Sequence, residues 1–409
     1  MNDHHDRFFY GWVVLAVGVC VVFGALGLAR FGYTLVLPAM QRGLDIANTE
    51  AGVLATANLV GYLLLSVIGG ALATRFGPRM VISSGLALAG FGMLMTGFAQ
   101  GFFMVALWRG LTGVGSGASN VPVMGLLSSW FGKRKRGFAA GIAASGSSVA
   151  LILLGLIVPR LLKVFGDGGW RACWFLFGGV TLLLAVSAVV LLRNHPSEKG
   201  TKPRGEDDTE FDRPEIERST SPGLYSVYTS PVVWFMGLTY VAFGFSYIIY
   251  ITFFFKHLIT EGGYTRESAG NLFMLVGWLS LFCGVIWGTV SDRLGRRYAL
   301  VIVYLIQAAA FSLFALWPEP PGFLLSSVLF GLTAWSIPAI MAAACGDVLG
   351  AKMAPAALGF ITLFFGIGQA VGPSVAGAIA DATGTFNPAF LLAGIVALFG
   401  AVGSLFLKT

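Results

Sequence analysis

Gly288-Thr289-Val290-Ser291-Asp292-Arg293-Leu294-Gly295-Arg296-Arg297 closes one long apolar run. Gly70-Ala71-Leu72-Ala73-Thr74-Arg75-Phe76-Gly77-Pro78-Arg79 closes another, 218 residues earlier. Gly, Arg, Gly and Arg fall in register between the two segments. At the same offset Ala51-Gly52 matches Ala269-Gly270 and Gly141 matches Gly359. Gly110-Leu111-Thr112 has a near counterpart in Gly331-Leu332-Thr333. Any one of these matches is within reach of chance, but together they describe a duplicated unit. Two repeated halves around a central site are the architecture of secondary transporters.

Composition sets the solvent of that duplicated unit. Of 409 residues, 56% are hydrophobic and 11% charged, against about 25% charged in soluble domains. A soluble enzyme of this length would lack the charge to stay hydrated, and a disordered chain would not carry so much apolar mass. The 56 glycines suit helices that approach closely in lipid. Apolar stretches fall at about 10–38, 50–73, 79–99, 102–129, 137–162, 170–192, 231–259, 267–290, 297–316, 321–347, 354–379 and 387–407, each near the length that crosses a bilayer. Strands with open edges are excluded from hydrocarbon and no barrel alternation is present. The expected fold is therefore an all-α membrane protein of twelve transmembrane helices in two pseudo-symmetric six-helix bundles, 1–192 and 231–409. They are joined by a linker over 193–230, which carries eight acids, six bases and several prolines and reads as solvated chain.

Charge distribution gives the orientation. Placing the N-terminus inside puts 18 of the 26 Lys and Arg residues on the inner side, including Arg75, Arg79, Lys133 to Arg136, the linker bases and Arg293, Arg296 and Arg297. Positive charge concentrates inside, so both termini and the linker are expected in the cytoplasm of a bacterial inner-membrane protein, with the first span retained. No basic stripe interleaved with aromatics points to nucleic acid. Cys20, Cys173, Cys283 and Cys345 lie in apolar runs without ligand spacing and read as small buried hydrophobes. No phosphate loop, metal cluster or nucleophile elbow marks an enzyme, a cofactor site or an ATP-driven pump.

The pattern Gly-x-x-x-Asp-Arg-x-Gly-Arg-Arg at 288–297 resembles the loop signature of the major facilitator superfamily. Arg109-Gly110-Leu111-Thr112-Gly113-Val114-Gly115-Ser116-Gly117 resembles that superfamily's fourth-helix motif. Thr74 stands where the signature has Asp, so only the second copy is complete. The opening Phe9-Tyr10-Gly11-Trp12-Val13-Val14 is similar to bacterial monocarboxylate and oxalate/formate transporters. Gly284, however, occupies the place of their span-eight Arg. The run Ala29-Arg30-Phe31-Gly32-Tyr33-Thr34-Leu35-Val36-Leu37-Pro38 resembles an uncharacterised bacterial facilitator branch with an Arg in its first helix. The resemblance implies alternating access, with spans one, four, seven and ten lining the cavity. It also implies gating roles for Gly70, Gly77, Gly288, Asp292, Arg293, Gly295 and Arg296.

Charge inside a span is costly and marks a functional candidate. Arg30 lies about six residues beyond the middle of span one, roughly 9 Å outward, where its fork can take a carboxylate. Arg109 on span four falls at similar depth and reads as a conformational or structural residue. Tyr33, Asn58 and Asn120 are placed to reach Arg30. Span seven carries Tyr240, Phe243, Tyr247, Tyr250 and Phe254 on one helical face. From it Tyr247 and Tyr250 are expected to bind substrate, with Trp335 and Gln369 from spans ten and eleven. His257 reads as a residue of the outer membrane interface. The expected function is proton-coupled transport of a small organic anion, a monocarboxylate, by a monomer whose other partners are protons and membrane lipid. The alternatives are efflux of a hydrophobic compound and a non-transporting sensor on the same fold.

Overall fold

The computed structural model describes residues 9–201 and 224–407. The chain begins with α1 (Gly11–Val22), a π-helical stretch (Phe23–Phe31) and α2 (Gly32–Leu44), stacked as one column of 34 residues. Within the stretch the Gly32 N–H reaches back five residues to the Gly27 carbonyl, the wide turn that often marks a functional site. The column outruns the expected stretch because Pro38 lies inside α2 without ending it. Helix stops at Asp45, in the left-handed region at φ 52°. The longer column moves Arg30 to about three residues past its middle, or ~4.5 Å, rather than six.

The rest of the first half is α3 (Asn48–Phe76), α4 (Pro78–Phe98), α5 (Phe102–Trp130), α6 (Lys133–Val164) and α7 (Gly169–Leu191). A short α8 (Leu224–Thr229) leads into α9 (Pro231–Thr260), α10 (Arg266–Leu294), α11 (Arg296–Leu316), α12 (Pro320–Thr333), α13 (Ser336–Thr383) and α14 (Asn387–Leu405). Among the described residues ten helices are long and apolar enough to cross a membrane, and eleven if Asn48–Ser66 and Ile68–Phe76, bent by 46°, count as one span. α5 is long enough at 29 residues but is diluted by Arg109, Thr112, Ser116, Ser119 and Asn120. The expected count of twelve is thus not exact on apolarity. Bulky apolar side chains such as Phe103, Leu183, Val285 and Phe399 cover the outside, as lipid requires.

Two expectations change. A loop was expected at 348–353, but α13 stays helical through it. The break comes earlier, at Ala334–Trp335 between α12 and α13, because Pro338 cannot accommodate the carbonyl four residues before it. Of the cysteines, Cys173, Cys283 and Cys345 are buried but Cys20 is exposed, on the outward face of α1. Most of the expected linker, 202–223, lies outside the described residues.

Neighbouring helices pack by glycine. A Cβ on Gly113 would sit 1.9 Å from the Asn58 carbonyl, and one on Gly61 2.1 Å from the Gly110 carbonyl, so α3 and α5 touch backbone to backbone. The sequence halves meet along α3–α13, α6–α10 and α2–α9. A Cβ on Gly52 would sit 2.2 Å from the Pro373 carbonyl, and one on Gly155 2.4 Å from that of Gly270.

Candidate functional site

The loop motifs mark one end of the molecule. Asp292 pairs with Arg296 at 2.5 Å, and Arg296 also reaches Asp347 of α13 at 2.8 Å. Arg293 and Gly295 are exposed, with Gly295 at φ 86°. In the first-half copy Thr74 turns back to its own Ala71 carbonyl, and the missing acid is replaced from elsewhere. Asn194 Oδ1 accepts the Arg79 N–H at 2.9 Å, capping α4, while Arg79 Nε donates to the Val189 carbonyl. Gly77, at φ 84°, faces that same Asn194. Gly70, Gly141, Gly284, Gly288 and Gly359 face open space. Among the described residues no hydrogen bond joins the halves at this end.

The opposite end is shut. Asp381 at the end of α13 accepts the Asn48 N–H at 3.0 Å and both the N–H and hydroxyl of Thr49 at 2.6 Å. Thr56 donates to the Ala370 carbonyl and lies 2.8 Å from the Ser374 hydroxyl. Lys256 donates to Gln41 and Asn48, Lys163 pairs with Glu267 at 3.2 Å, and Arg266 reaches the Leu162 carbonyl. His257 is fully buried among Phe314, Phe323 and Phe390, 3.3 Å from Glu261. It therefore does not face the membrane interface, as the sequence suggested. Burial raises the affinity of Glu261 for a proton. Hydrogen bonds from His257, the Thr385 hydroxyl and the Phe386 N–H outweigh this and hold its carboxyl below the ordinary value.

Between the ends lies Arg30, on the π-helical stretch. Its guanidinium sits over the Tyr62 ring, 4.6 Å from the centroid, and Nη1 is 3.5 Å from the Tyr247 hydroxyl. Nε and Nη2 are buried without a partner. Gln369 donates to Tyr247. Trp335 packs edge-on against Tyr247 and tilted against Phe31, and its Nε1 donates to Ser148 at 3.2 Å. Asn120 Nδ2 donates to the Tyr62 hydroxyl at 2.9 Å. Arg30, Asn120, Tyr247, Trp335 and Gln369 are therefore brought together as the sequence suggested. Tyr62 and Ser148 complete the group and were not foreseen, although Tyr62 stands one turn beyond Asn58.

The other residues named from the sequence lie apart. Tyr33 is buried, donates to the Ala51 carbonyl at 2.7 Å and lies under Arg109. Asn58 donates to the Arg109 carbonyl at 3.1 Å. Arg109 is itself buried against Tyr33 and Trp174 and donates to the Ala29 carbonyl at 2.6 Å. Tyr250 is bound to Ser326 inside a cage of Phe311, Phe314 and Phe330. The aromatic face of α9 thus divides. Tyr240, Phe243 and Tyr247 stack with Phe365 of α13, while Tyr250 and Phe254 belong to the second half's core.

A central polar cluster between two glycine-packed halves, with one end shut, is a transporter's geometry, and comparison with known proteins agrees. Residues 22–405 match the family model described as "Uncharacterised MFS-type transporter YbfB". The chain belongs to this family of major facilitator transporters. It is 24% identical over 402 residues to a hexuronate transporter of Bacillus subtilis, covering 92% of this chain and 89% of that one. It is 25% identical over 409 residues to human monocarboxylate transporter 11, covering 96% and 82%. With mouse monocarboxylate transporter 10 it shares 27% over 273 residues, 64% of this chain and 51% of that longer one. Among solved structures it resembles a bacterial homologue of the human lysosomal transporter Spinster. That structure, inward-facing and unoccupied, matches with a TM-score of 0.77 at 14% identity over 97% of each chain, a likeness of fold.

Proposed function

We propose that this protein is a secondary active transporter of a small organic anion, a monocarboxylate, anchored by Arg30 and moved by alternating access of 1–192 against 231–409. One observation carries the reading: the Nε and Nη2 donors of Arg30 are buried and unpartnered. These two N–H groups lie side by side on one edge of the guanidinium, the arrangement that accepts a carboxylate with two parallel hydrogen bonds. Nη1, on the other side, already faces Tyr247. The relatives named above, a hexuronate transporter and monocarboxylate transporters, have in common a carboxylate in the names of their substrates.

Proton coupling follows from charge. Importing an anion into a negative interior works against about 2.3 kcal/mol per 100 mV, and a proton carried with it cancels that opposition. The concentration of Lys and Arg around the loop motifs supports a cytoplasmic location for that end and for both termini in a bacterial inner membrane. On that orientation the shut end faces away from the cytoplasm. A monomer contains the whole site.

The test is binding by purified protein, read as thermal stabilisation. Carboxylates are expected to stabilise the wild type. Arg30→Lys keeps charge without the fork and should bind more weakly. Arg30→Ala should lose about 2–5 kcal/mol of binding while melting normally without ligand. Stabilisation by lipophilic cations alone, or unchanged carboxylate affinity in Arg30→Ala, would overturn the reading.

A further inference from the structure

We infer that the transported anion also carries a hydroxyl group, read by Asn120 on the Tyr62 side of the site: the substrate is a hydroxylated carboxylic acid rather than a plain alkyl one. The inference rests on the Arg30 reading and deepens it. Around Arg30 most polar side chains are engaged. Gln369 is bound to Tyr247, and Ser148 is bound to Ser280 and Trp335. Asn58, the other asparagine considered for this site, is bound to the Arg109 carbonyl. Asn120 differs. Its Nδ2 is 2.9 Å from the Tyr62 hydroxyl, but its Oδ1 is buried with no partner.

Rotation about χ2 exchanges the nitrogen and oxygen of the Asn120 amide. The conclusion does not depend on it. Turned over, the oxygen would accept from Tyr62 and the nitrogen would be left unpaired. A hydroxyl group satisfies either end, because it donates to an oxygen and accepts from a nitrogen.

Geometry ties this unpaired amide to the unpaired edge of Arg30. The ring of Tyr62 carries the guanidinium 4.6 Å from its centroid, and the hydroxyl of that same ring holds Asn120. The two unsatisfied groups therefore stand at the face and tip of one phenol. A ligand whose carboxylate meets Arg30 and whose chain follows the ring presents its later carbons to Asn120. An alkyl chain there would leave the amide buried and unpaired, while a hydroxylated chain would complete it.

The experiment uses four six-carbon probes on the purified full-length protein: gluconate, hexanoate, adipate and sorbitol. Gluconate should bind on the order of 10- to 100-fold more tightly than hexanoate, the effect of leaving one buried polar group unpaired. Sorbitol, lacking the carboxylate, should not bind. Asn120→Leu should abolish the gluconate preference, bringing the two affinities together. Equal affinity for gluconate and hexanoate in the wild type would overturn the inference while leaving the Arg30 reading intact. So would a preference for adipate, or an undiminished gluconate preference in Asn120→Leu. Failure of every carboxylate to bind would instead overturn the Arg30 reading.

Discussion

Asp381 should act as a helix cap supplied by one half of the molecule to the other. α3 starts after Ala47, which has no side-chain acceptor for the helix's free N–H groups. The carboxylate of Asp381 takes that place, accepting from the N–H groups of Asn48 and Thr49 at 3.0 and 2.6 Å. Loss of an N-cap costs about 0.5–2 kcal/mol. Because this cap exists only while the end is shut, its loss should shift the shut-to-open ratio by about 2- to 30-fold. Asp381→Ala should show the full effect. Asp381→Asn keeps one acceptor oxygen but turns an NH2 group toward the other N–H, so it retains part of the cap and forfeits the attraction to the helix dipole, about 0.3–1 kcal/mol. The reporter is Ser374→Cys, at a position 2.8 Å from Thr56 across the closed interface, with exposed Cys20 replaced by Ser. Its labelling by a membrane-impermeant maleimide should quicken in Asp381→Ala and by a smaller factor in Asp381→Asn. No acceleration in Asp381→Ala would refute the cap. Equal acceleration in both variants would show that the cap needs both carboxylate oxygens.

Arg109→Ala should lower thermal stability, since the buried Ala29 carbonyl loses the donor at 2.6 Å, a cost of about 1–3 kcal/mol. An unchanged melting temperature would remove its structural role. Asp292→Asn should slow turnover at normal expression by weakening the Asp292–Arg296–Asp347 chain, and unchanged flux would reduce the motif to a topology signal. Glu261 has a depressed proton affinity when folded. Its stabilising contribution is thus complete above its ordinary value of 4.5 and is lost as pH falls through the lower folded value. Melting curves between pH 7 and 3.5 should accordingly show a steeper acid loss for wild type than for Glu261→Gln, and parallel curves would contradict this.

Much of the fold was legible because lipid imposes simple rules. Long apolar runs must be helices, and the repeat at Gly70–Arg79 and Gly288–Arg297 exposed the duplication. Helix ends were less legible. Pro38 reads as the end of span one, yet a proline in a long span is tolerated where neighbours re-satisfy the freed carbonyl. At the site, Arg30 was legible as a charge in hydrocarbon, Tyr247, Trp335 and Asn120 as polar or aromatic residues on cavity-lining spans, and Gln369 as a polar residue within span eleven. Tyr33 and Asn58 were misplaced because sequence spacing gives depth but only approximate azimuth. The π-helical stretch alters azimuth further, turning Tyr33 toward Arg109 while Arg30 faces Tyr62. No feature of the sequence distinguishes that wide turn from ordinary helix.

The placement of the charge in only one repeat has a mechanical consequence on the proposed function. Position 248, the counterpart of Arg30 at the repeat offset, is Ile, so one half supplies the anchor and the other supplies Tyr247 and Gln369. The contact between them, Arg30 Nη1 to the Tyr247 hydroxyl at 3.5 Å, is longer than an ordinary N–H···O bond of 2.7–3.2 Å. The contacts that hold the far end shut are mostly shorter, as at Asp381 and Thr56. Without a ligand, then, Arg30 and Tyr247 contribute little to the association of the halves, which rests on the shut end and on Ser148 with Ser280 and Trp335. With a carboxylate on its Nε and Nη2 edge, Arg30 keeps Nη1 for Tyr247, and that contact forms only in those states where the two helices stand close. A ligand shifts a conformational equilibrium by its difference in affinity between states and by nothing else. An anchor confined to one half, reaching a weak partner on the other, supplies that difference at the middle of the membrane. Two anchors, one per half, would leave each half satisfied by itself only if each met a separate anion.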